Sequence, residues 1–124
     1  YTLHPSTLST LSKADAEDLV AKNLAQLVTV QKVPNVSLND IFEKYFAGPV
    51  HLVNLDIESY ATEVLNSVDF SRWRPLAWCI ETIEYSGRLR SRKIPQIFEI
   101  MRKNGYEVYA DTYINTIFLE SGAW

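Results

Sequence analysis

Four carboxylates follow two apolar runs of the chain at the points where those runs end. Asp56 and Glu58 lie at the end of the first run, and Glu81 and Glu84 lie at the end of the second. A carboxylate next to a buried strand needs a partner, a metal ion or a hydrogen bond from a substrate. Such groups can accept a proton from a reacting hydroxyl or bind a hard cation. They are therefore the first candidates for chemistry in this chain.

Each carboxylate also has an interpretation without chemistry. Glu58 and Glu84 are equally consistent with solvated loop charges or with first-turn residues that the helix dipole favours. Asp56 is the stronger candidate because it interrupts an apolar run where a buried strand would reach the surface, and Glu81 follows apolar residues in a similar way. Asp56, Glu58 and Glu81 could together bind a divalent cation, but nothing fixes their geometry, so we assign no metal site.

The remaining reactive side chains favour structural roles. Cys79 lies inside an apolar run, where a core residue is expected rather than a nucleophile. His4 and His51 have no metal-ligand spacing. A basic run could bind an acidic or phosphorylated substrate, but we interpret it as a solvated loop because few aromatic residues accompany it. Its members are Arg88, Arg90, Arg92 and Lys93.

Aromatic residues are expected in the core or against the sheet. They include Trp73, Trp78, Tyr106, Tyr109, Tyr113 and Phe118. Two aromatic residues, Trp73 and Tyr60, could instead line a substrate crevice. Asn115 is interpreted as a residue of a hairpin turn.

The order of elements predicts where the carboxylates lie. Apolar patterns predict a strand over 51–57, a helix over 60–68 and a strand over 76–83. A connection of this kind leaves its two strands parallel in almost all cases. Ligands bind outside the carboxyl ends of such strands, so both pairs of carboxylates are predicted at one edge of the sheet. Residues 76–80 are apolar throughout, which predicts a strand covered on both faces.

Capping signals predict the other elements. Ser12 and Ser37 each precede an aspartate by three positions, which predicts a helix that reaches about Leu27 and a short helix that Gly48 and Pro49 stop. The further predicted elements are a strand over 27–33 that ends at Pro34, a helix from Ile94 to before Gly105, and a hairpin of strands 107–111 and 115–119.

Composition is typical of one globular domain. The chain has 124 residues, of which 47% are hydrophobic, enough for a core without disulfides. The net charge of -3 argues against a protein that binds the nucleic-acid backbone.

No apolar stretch reaches the roughly 20 residues that cross a bilayer, and no secretory signal is visible. One cysteine fits a reducing compartment, so we expect a cytoplasmic protein. The missing initiator methionine suggests a piece of a longer chain.

Residues 52–65 have the sequence Leu-Val-Asn-Leu-Asp-Ile-Glu-Ser-Tyr-Ala-Thr-Glu-Val-Leu. This segment is similar to a signature of the FkbM-type methyltransferases, a branch of the class I enzymes that use S-adenosylmethionine. The signature is a hydrophobic residue, Asp, Val or Ile, Glu and Gly, followed after four further residues by Val and Leu. Ser59 stands where the family usually has the glycine. The other similar segments are 5–10, 36–41, 69–75, 79–82 and 105–118.

The resemblance implies an α/β fold with a partial Rossmann-like sheet, mostly parallel, with a carboxyl-terminal antiparallel hairpin and helices on the faces. It aligns residues 1–124, as a single domain, with the carboxyl-terminal half of the family fold. No two of the chain's four glycines have the spacing of the family's cofactor loop. We therefore expect S-adenosylmethionine to bind the parent chain and not these residues alone.

The resemblance also implies roles for individual residues. A carboxylate at the end of the central strand would lie beside the transferred methyl group, so Asp56 is assigned as general base or substrate-positioning residue. Glu81 comes second, as a substrate-side or metal-side group, and Glu58 third, as an orienting partner. The expected substrate-binding residues are Tyr60, Trp73 and Glu84.

Three functions stay open at this point. The first is the carboxyl-terminal part of an O-methyltransferase with a hydroxyl acceptor, for which a sugar is the family-level expectation, inactive by itself. The second is a non-catalytic module that self-associates or binds a partner through an open sheet edge. The third, more distant, is a metal-dependent hydrolase that uses the same carboxylates. We expect a homo-oligomer through the open edge, with no nucleic-acid or membrane partner.

Overall fold

A computed structural model describes residues 1–57, 60–85 and 91–123. Contacts divide the chain into two compact units, Tyr1–Asn35 and Val36–Trp124. We call them unit 1 and unit 2 and describe each by itself. The prediction that both form one domain stays a prediction.

Unit 1 is a two-stranded sheet with one α-helix. Its elements are β1 (Thr2–His4), a 3₁₀ turn (Ser6–Leu8), α1 (Lys13–Ala21) and β2 (Gln26–Thr29), and β2 pairs antiparallel with β1. The predicted cap of α1 is confirmed, because the Ser12 hydroxyl accepts a hydrogen bond from the Asp15 N–H at 3.1 Å. The helix ends before the predicted Leu27, since that residue pairs with Leu3 in the sheet. Leu3, Ala16 and Ala25 form the small core.

The second half of unit 1 exposes apolar side chains. The predicted strand over 27–33 is shorter than expected, because pairing with β1 ends at Thr29. Pro34 therefore follows irregular chain instead of ending a strand. The exposed apolar residues of this segment are Leu27, Val28, Val30 and Val33.

Unit 2 contains the main sheet and three α-helices within the described ranges. Its elements are α2 (Leu38–Tyr45), β3 (Leu52–Leu55), α3 (Ala61–Ser67), β4 (Ala77–Glu81), β5 (Ile83–Tyr85), β6 (Ser91–Lys93), α4 (Pro95–Lys103), β7 (Tyr106–Asp111) and β8 (Asn115–Glu120). Ser37 caps α2 through the Asp40 N–H, as predicted. Pro95 begins α4, and Gly105 follows its end with φ +80°, a conformation that favours glycine.

The main sheet has the strand order β3-β4-β8-β7. The predicted parallel pairing of β3 with β4 is confirmed, with Leu55 opposite Ile80. The predicted hairpin is also confirmed, but β8 lies between β4 and β7 and runs antiparallel to both. Among the described strands of this sheet, only β3 and β4 are parallel. The expectation of a mostly parallel sheet is therefore wrong, and the sheet is mixed.

The predicted strand over 76–83 is divided in two. β4 ends at Glu81, and after Thr82 the chain enters β5, which pairs antiparallel with β6 in a separate two-stranded sheet. Hydrophobicity does not report this break, because Ile83 on the far side is buried as well.

The helices of unit 2 contribute to one core on one face of the sheet. Side chains from α2, α3 and α4 pack in a single cluster with Trp78 and Ile80 of β4. The alternate residues of β4, Ala77 and Cys79, are only half-buried, and Leu52 of β3 is 61% exposed. The prediction that residues 76–80 are covered on both faces is therefore wrong, and Cys79 lies outside the core.

Candidate active site

The carboxyl edge of the main sheet is the end at which β3 and β4 finish. Asp56 directly follows β3 and is exposed, and Glu81 is the last residue of β4 and half-buried. Leu55 and Ile80 are paired neighbours, so the two carboxylate residues follow at the same level on adjacent parallel strands. The predicted shared edge is confirmed for this pair.

The chain after Glu81 joins three elements at this edge. Thr82 is wholly buried, and its backbone N–H donates to the Ile114 carbonyl oxygen at 3.0 Å. Its own carbonyl oxygen accepts a hydrogen bond from the Ile94 N–H at 2.9 Å. The end of β4 is thereby connected to the β7–β8 turn and to the start of α4.

The ammonium group of Lys93 binds three oxygen atoms at the same edge. Lys93 Nζ donates to two threonine hydroxyls, Thr82 Oγ1 at 2.9 Å and Thr116 Oγ1 at 3.1 Å. It also donates to Asp111 Oδ1 at 2.7 Å. An ammonium group has three N–H donors, so each one has an acceptor. We call Lys93, Thr82, Thr116 and Asp111 the lysine cluster.

The two threonines of the lysine cluster are wholly buried and hydrogen-bonded to each other, with 2.7 Å between their Oγ1 atoms. Thr82 Oγ1 also lies 3.4 Å from the Ile114 carbonyl oxygen. Both hydroxyls are satisfied if Thr116 donates to Thr82, Thr82 donates to Ile114, and both accept from Lys93. This complete pairing is why a charged group can adjoin the buried threonines.

Asp111 connects the lysine cluster to the β7–β8 turn. Its Oδ1 atom accepts one hydrogen bond from Lys93 and another from the backbone N–H of Tyr113 at 2.8 Å. The hydrogen bond from Lys93 is the main cause that lowers the pKa of Asp111 below its usual value, and the Tyr113 N–H adds to it. The carboxyl group therefore stays ionised, and able to accept both hydrogen bonds, in mildly acidic solution.

Tyr113 lies in the β7–β8 turn with φ +75°, in the left-handed region that most side chains avoid. Its phenol oxygen lies 2.6 Å from the Ser91 hydroxyl of β6. The residue is nevertheless 64% exposed. Two positions further along the chain, Asn115 pairs with Glu81. The ring is thus presented to solvent at the carboxyl edge.

The other predicted site residues are distributed over the molecule. Glu58 lies outside the described residues. Tyr60 is half-buried at the start of α3, and Glu84 is exposed in β5 opposite Arg92. Trp73 precedes β4, at the opposite end of that strand from Glu81, and packs against the Phe42 ring with 5.5 Å between centroids. The structure therefore does not bring Trp73 to the carboxyl edge.

Two interpretations of the sequence are corrected at this edge. Lys93 is not a solvated loop residue, because it belongs to β6 and contacts two buried threonines. Tyr109 and Tyr113 do not lie in the core, since both are largely exposed. The pattern offered no signal for these roles, because a lysine in a basic run and a tyrosine near a hairpin turn usually face solvent. Arg88 and Arg90 lie outside the described residues.

The three glycines that the structure describes lie away from the carboxyl edge. Gly48 precedes β3, Gly105 separates α4 from β7, and Gly122 follows β8, so all three lie near the other end of the sheet. Within the described ranges, no group of three or more histidine, cysteine or acidic residues has the arrangement of a metal site. The same ranges contain no helix long and apolar enough to span a bilayer.

The fold belongs to the mixed α/β class, and its candidate site consists of carboxylates that follow two adjacent parallel strands. Residues 3–108 match the family described as Methyltransferase FkbM domain. The match covers most of the chain, so the chain belongs to this family, and the resemblance seen in the sequence is confirmed. The similarity expected over 105–118 is confirmed only as far as residue 108.

The matched range includes Asp56, Glu81 and Lys93 and ends before Asp111 and Tyr113. A comparison with curated proteins found no match. A comparison with solved structures also found none.

Proposed function

We propose that this chain is the acceptor-side, carboxyl-terminal part of an S-adenosylmethionine-dependent O-methyltransferase. The family assignment supports methyl transfer in general terms. The observation that carries the more specific proposal is the position of Asp56 and Glu81 after adjacent parallel strands. A sugar or another hydroxyl compound is the proposed acceptor. The chain acts in the cytoplasm in this proposal.

Asp56 accepts the proton that the acceptor hydroxyl loses in this proposal. It is exposed, so an acceptor can reach it, and the adjacent Glu81 is half-buried, so its position is more restricted. Asp56 then serves as the base, while Glu81 orients the acceptor and Tyr60 and Glu84 border the site. Trp73 is left out of this site because it lies at the other end of β4.

The methyl donor is bound by another part of the enzyme in this proposal. A bound sulfonium cofactor would supply the electrophilic methyl group. The glycines of the described residues lie away from the carboxyl edge, which supports a cofactor site on another part of the enzyme. We therefore expect no binding of S-adenosylmethionine when it is titrated calorimetrically into these 124 residues. Binding with micromolar affinity would contradict the proposal that the methyl donor binds a part of the enzyme outside these residues.

The decisive experiment is Asp56→Asn in the full-length parent chain. Loss of the base should lower kcat for methyl transfer about 10²-fold to 10⁴-fold. Cofactor affinity should not change, because Asp56 belongs to the acceptor side. Glu99→Gln is the control, since Glu99 is an exposed carboxylate on α4. Turnover close to the parental rate in Asp56→Asn would exclude Asp56 as the base.

A second function is favoured by the two edge strands of the main sheet. The β7 edge carries Glu107 and Asp111 and an irregular register between Val108 and Ala110, features that oppose edge-to-edge pairing. The β3 edge, Leu52–Leu55, has no charged residue, proline or register shift. It would pair with β3 of a second copy and extend the sheet.

Light scattering after size exclusion tests this self-association. Leu52→Lys places a charge on the β3 edge and should shift a dimer to a monomer. Val108→Lys is the matched control, because it places the same charge on an exposed residue of the β7 edge. A monomer at every concentration of the unmodified chain would rule out this second function.

A further inference from the structure

We infer that Lys93 is a positioning residue that holds Tyr113 at the carboxyl edge, where the tyrosine ring forms one wall of the acceptor site. The acceptor role of the ring rests on the function proposed above. The positioning role of Lys93 rests on contacts alone. Asp111 and Tyr113 lie beyond the residues that match the family.

The first step is that Lys93 has no donor left for a ligand. Its three N–H groups are used by Thr82, Thr116 and Asp111. An anion-binding role would require one of these acceptors to be displaced, and two of them are buried hydroxyls. The ammonium group therefore acts on its protein partners.

The second step is that two routes run from β6 to Tyr113. Through Asp111, Lys93 orients the carboxylate that accepts the Tyr113 N–H at 2.8 Å. In addition, β6 carries Ser91 two positions before Lys93, and the Ser91 hydroxyl contacts the Tyr113 phenol at 2.6 Å. The backbone of Tyr113 is thus held by a carboxylate that Lys93 orients, and its ring end contacts a residue of the same strand as Lys93.

The third step is that the restrained Tyr113 side chain is exposed. A tyrosine with φ +75° has a backbone conformation that side chains rarely adopt, so its contacts must offset a conformational cost. Tyr113 does not recover this cost by burial, since it is 64% exposed. An exposed ring fixed at both ends offers a flat apolar surface, and the apolar face of a sugar ring packs well against such a surface. This geometry therefore supports a role for Tyr113 in binding the acceptor before the reaction, and not in the chemical step.

Arg74 provides the matched control for Lys93. Its Nε atom donates to Glu120 Oε1 at 2.7 Å and its Nη1 atom to the Asn104 carbonyl oxygen at 2.7 Å. The two ion pairs have similar exposure, with side chains 37% and 30% exposed for Arg74–Glu120 and 32% and 41% for Lys93–Asp111. Arg74 lies before β4, at the end of the sheet away from Tyr113.

The test combines amide hydrogen exchange with kinetics. In this chain, Lys93→Met should accelerate exchange of the Tyr113 amide about tenfold, the equivalent of one lost hydrogen bond. Arg74→Met should leave the Tyr113 amide unchanged. Asp111→Ala should repeat the effect of Lys93→Met, while Asp111→Asn should preserve protection because its amide oxygen can still accept. Unchanged Tyr113 exchange in a folded Lys93→Met variant would overturn the positioning role.

In the full-length parent, Lys93→Met and Tyr113→Ala should both raise KM for the acceptor several-fold with kcat little changed, as expected for lost ground-state binding. A fall in kcat at constant KM would overturn the acceptor role of Tyr113. If the unmodified parent transfers no methyl group to any hydroxyl compound, the proposed function fails together with that acceptor role. The exchange measurement would still decide whether Lys93 positions Tyr113.

Discussion

The two ends of the main sheet each use one cation to join several elements. At the amino end of β4, Arg74 binds Glu120 and the Asn104 carbonyl, and its guanidinium lies 5.1 Å from the Tyr106 ring centroid. At the carboxyl end, Lys93 binds Asp111 and two buried threonine hydroxyls. Exposed ion pairs contribute about 0–1 kcal/mol each, so the pairs themselves do not distinguish the two ends.

The two ends of the sheet differ in the groups that Arg74 and Lys93 bind. Arg74 binds a helix-end carbonyl and an aromatic face, groups that stabilise the fold. Lys93 binds side chains that also adjoin Glu81 and Tyr113, next to the candidate site. A similar ion pair therefore has a local stabilising role at one end and a proposed positioning role at the other.

The largest effect on stability is expected from Thr116→Val. The shapes of the two side chains match, but the change leaves a Lys93 N–H and the Thr82 hydroxyl without one partner each. The free energy of unfolding should fall by about 2 kcal/mol. Urea denaturation measures it, with the partly exposed Thr62→Val in α3 as control. A loss no larger than that of the control would mean that the hydroxyl pair is dispensable.

Arg74→Met should cost less, about 1 kcal/mol, because the lost ion pair is partly exposed and the methionine can still pack on Tyr106. The same denaturation series measures this loss. A loss greater than that of Thr116→Val would reverse the proposed ranking of the two ends.

Tyr106→Phe should cost up to about 1 kcal/mol, since the phenol donates to the Pro75 carbonyl oxygen at 2.8 Å. Burial is the main cause that raises the pKa of Tyr106. The stability that the buried, neutral phenol of Tyr106 contributes is therefore present below the usual phenol pKa and is lost as pH rises through the raised pKa. Alkaline titration of stability should show a smaller loss in Tyr106→Phe, and equal losses in both proteins would contradict this assignment.

The smallest effect is expected on the stability of the protein at acidic pH. The lowered pKa of Asp111 gives stability that is present above the usual aspartate value and lost as pH falls through the lowered one. Lys93→Met should raise the pKa of Asp111 toward its usual value, as measured by NMR titration of the carboxyl carbon. Asp69 is the internal control, because its pKa is lowered mainly by the Ser71 hydroxyl and should not change. Parallel shifts of both groups would indicate a global change instead.

Local patterns predicted the helices of unit 2 and the β3–β4 and β7–β8 pairs, but not the β5–β6 pair. Ser37 and Gly105 delimit helix ends where capping chemistry requires them, and strand–helix–strand order was enough to place Asp56 and Glu81 at one edge. Those features depend on residues close together in sequence. The break at Thr82 was not predictable, because a threonine within an apolar run fits either a continuous strand or a change of sheet.

The amino-acid sequence by itself determined the family, the main helices, the β3–β4 pair and the carboxylates that follow it. Only the tertiary structure decided that β8 enters between β4 and β7, and that step brings Thr116 and Asp111 to Lys93. The physical reason is that strand order and side-chain pairing depend on contacts between distant residues. A basic run that the sequence pattern assigns to a solvated loop can therefore contain a lysine with three protein acceptors in the folded chain.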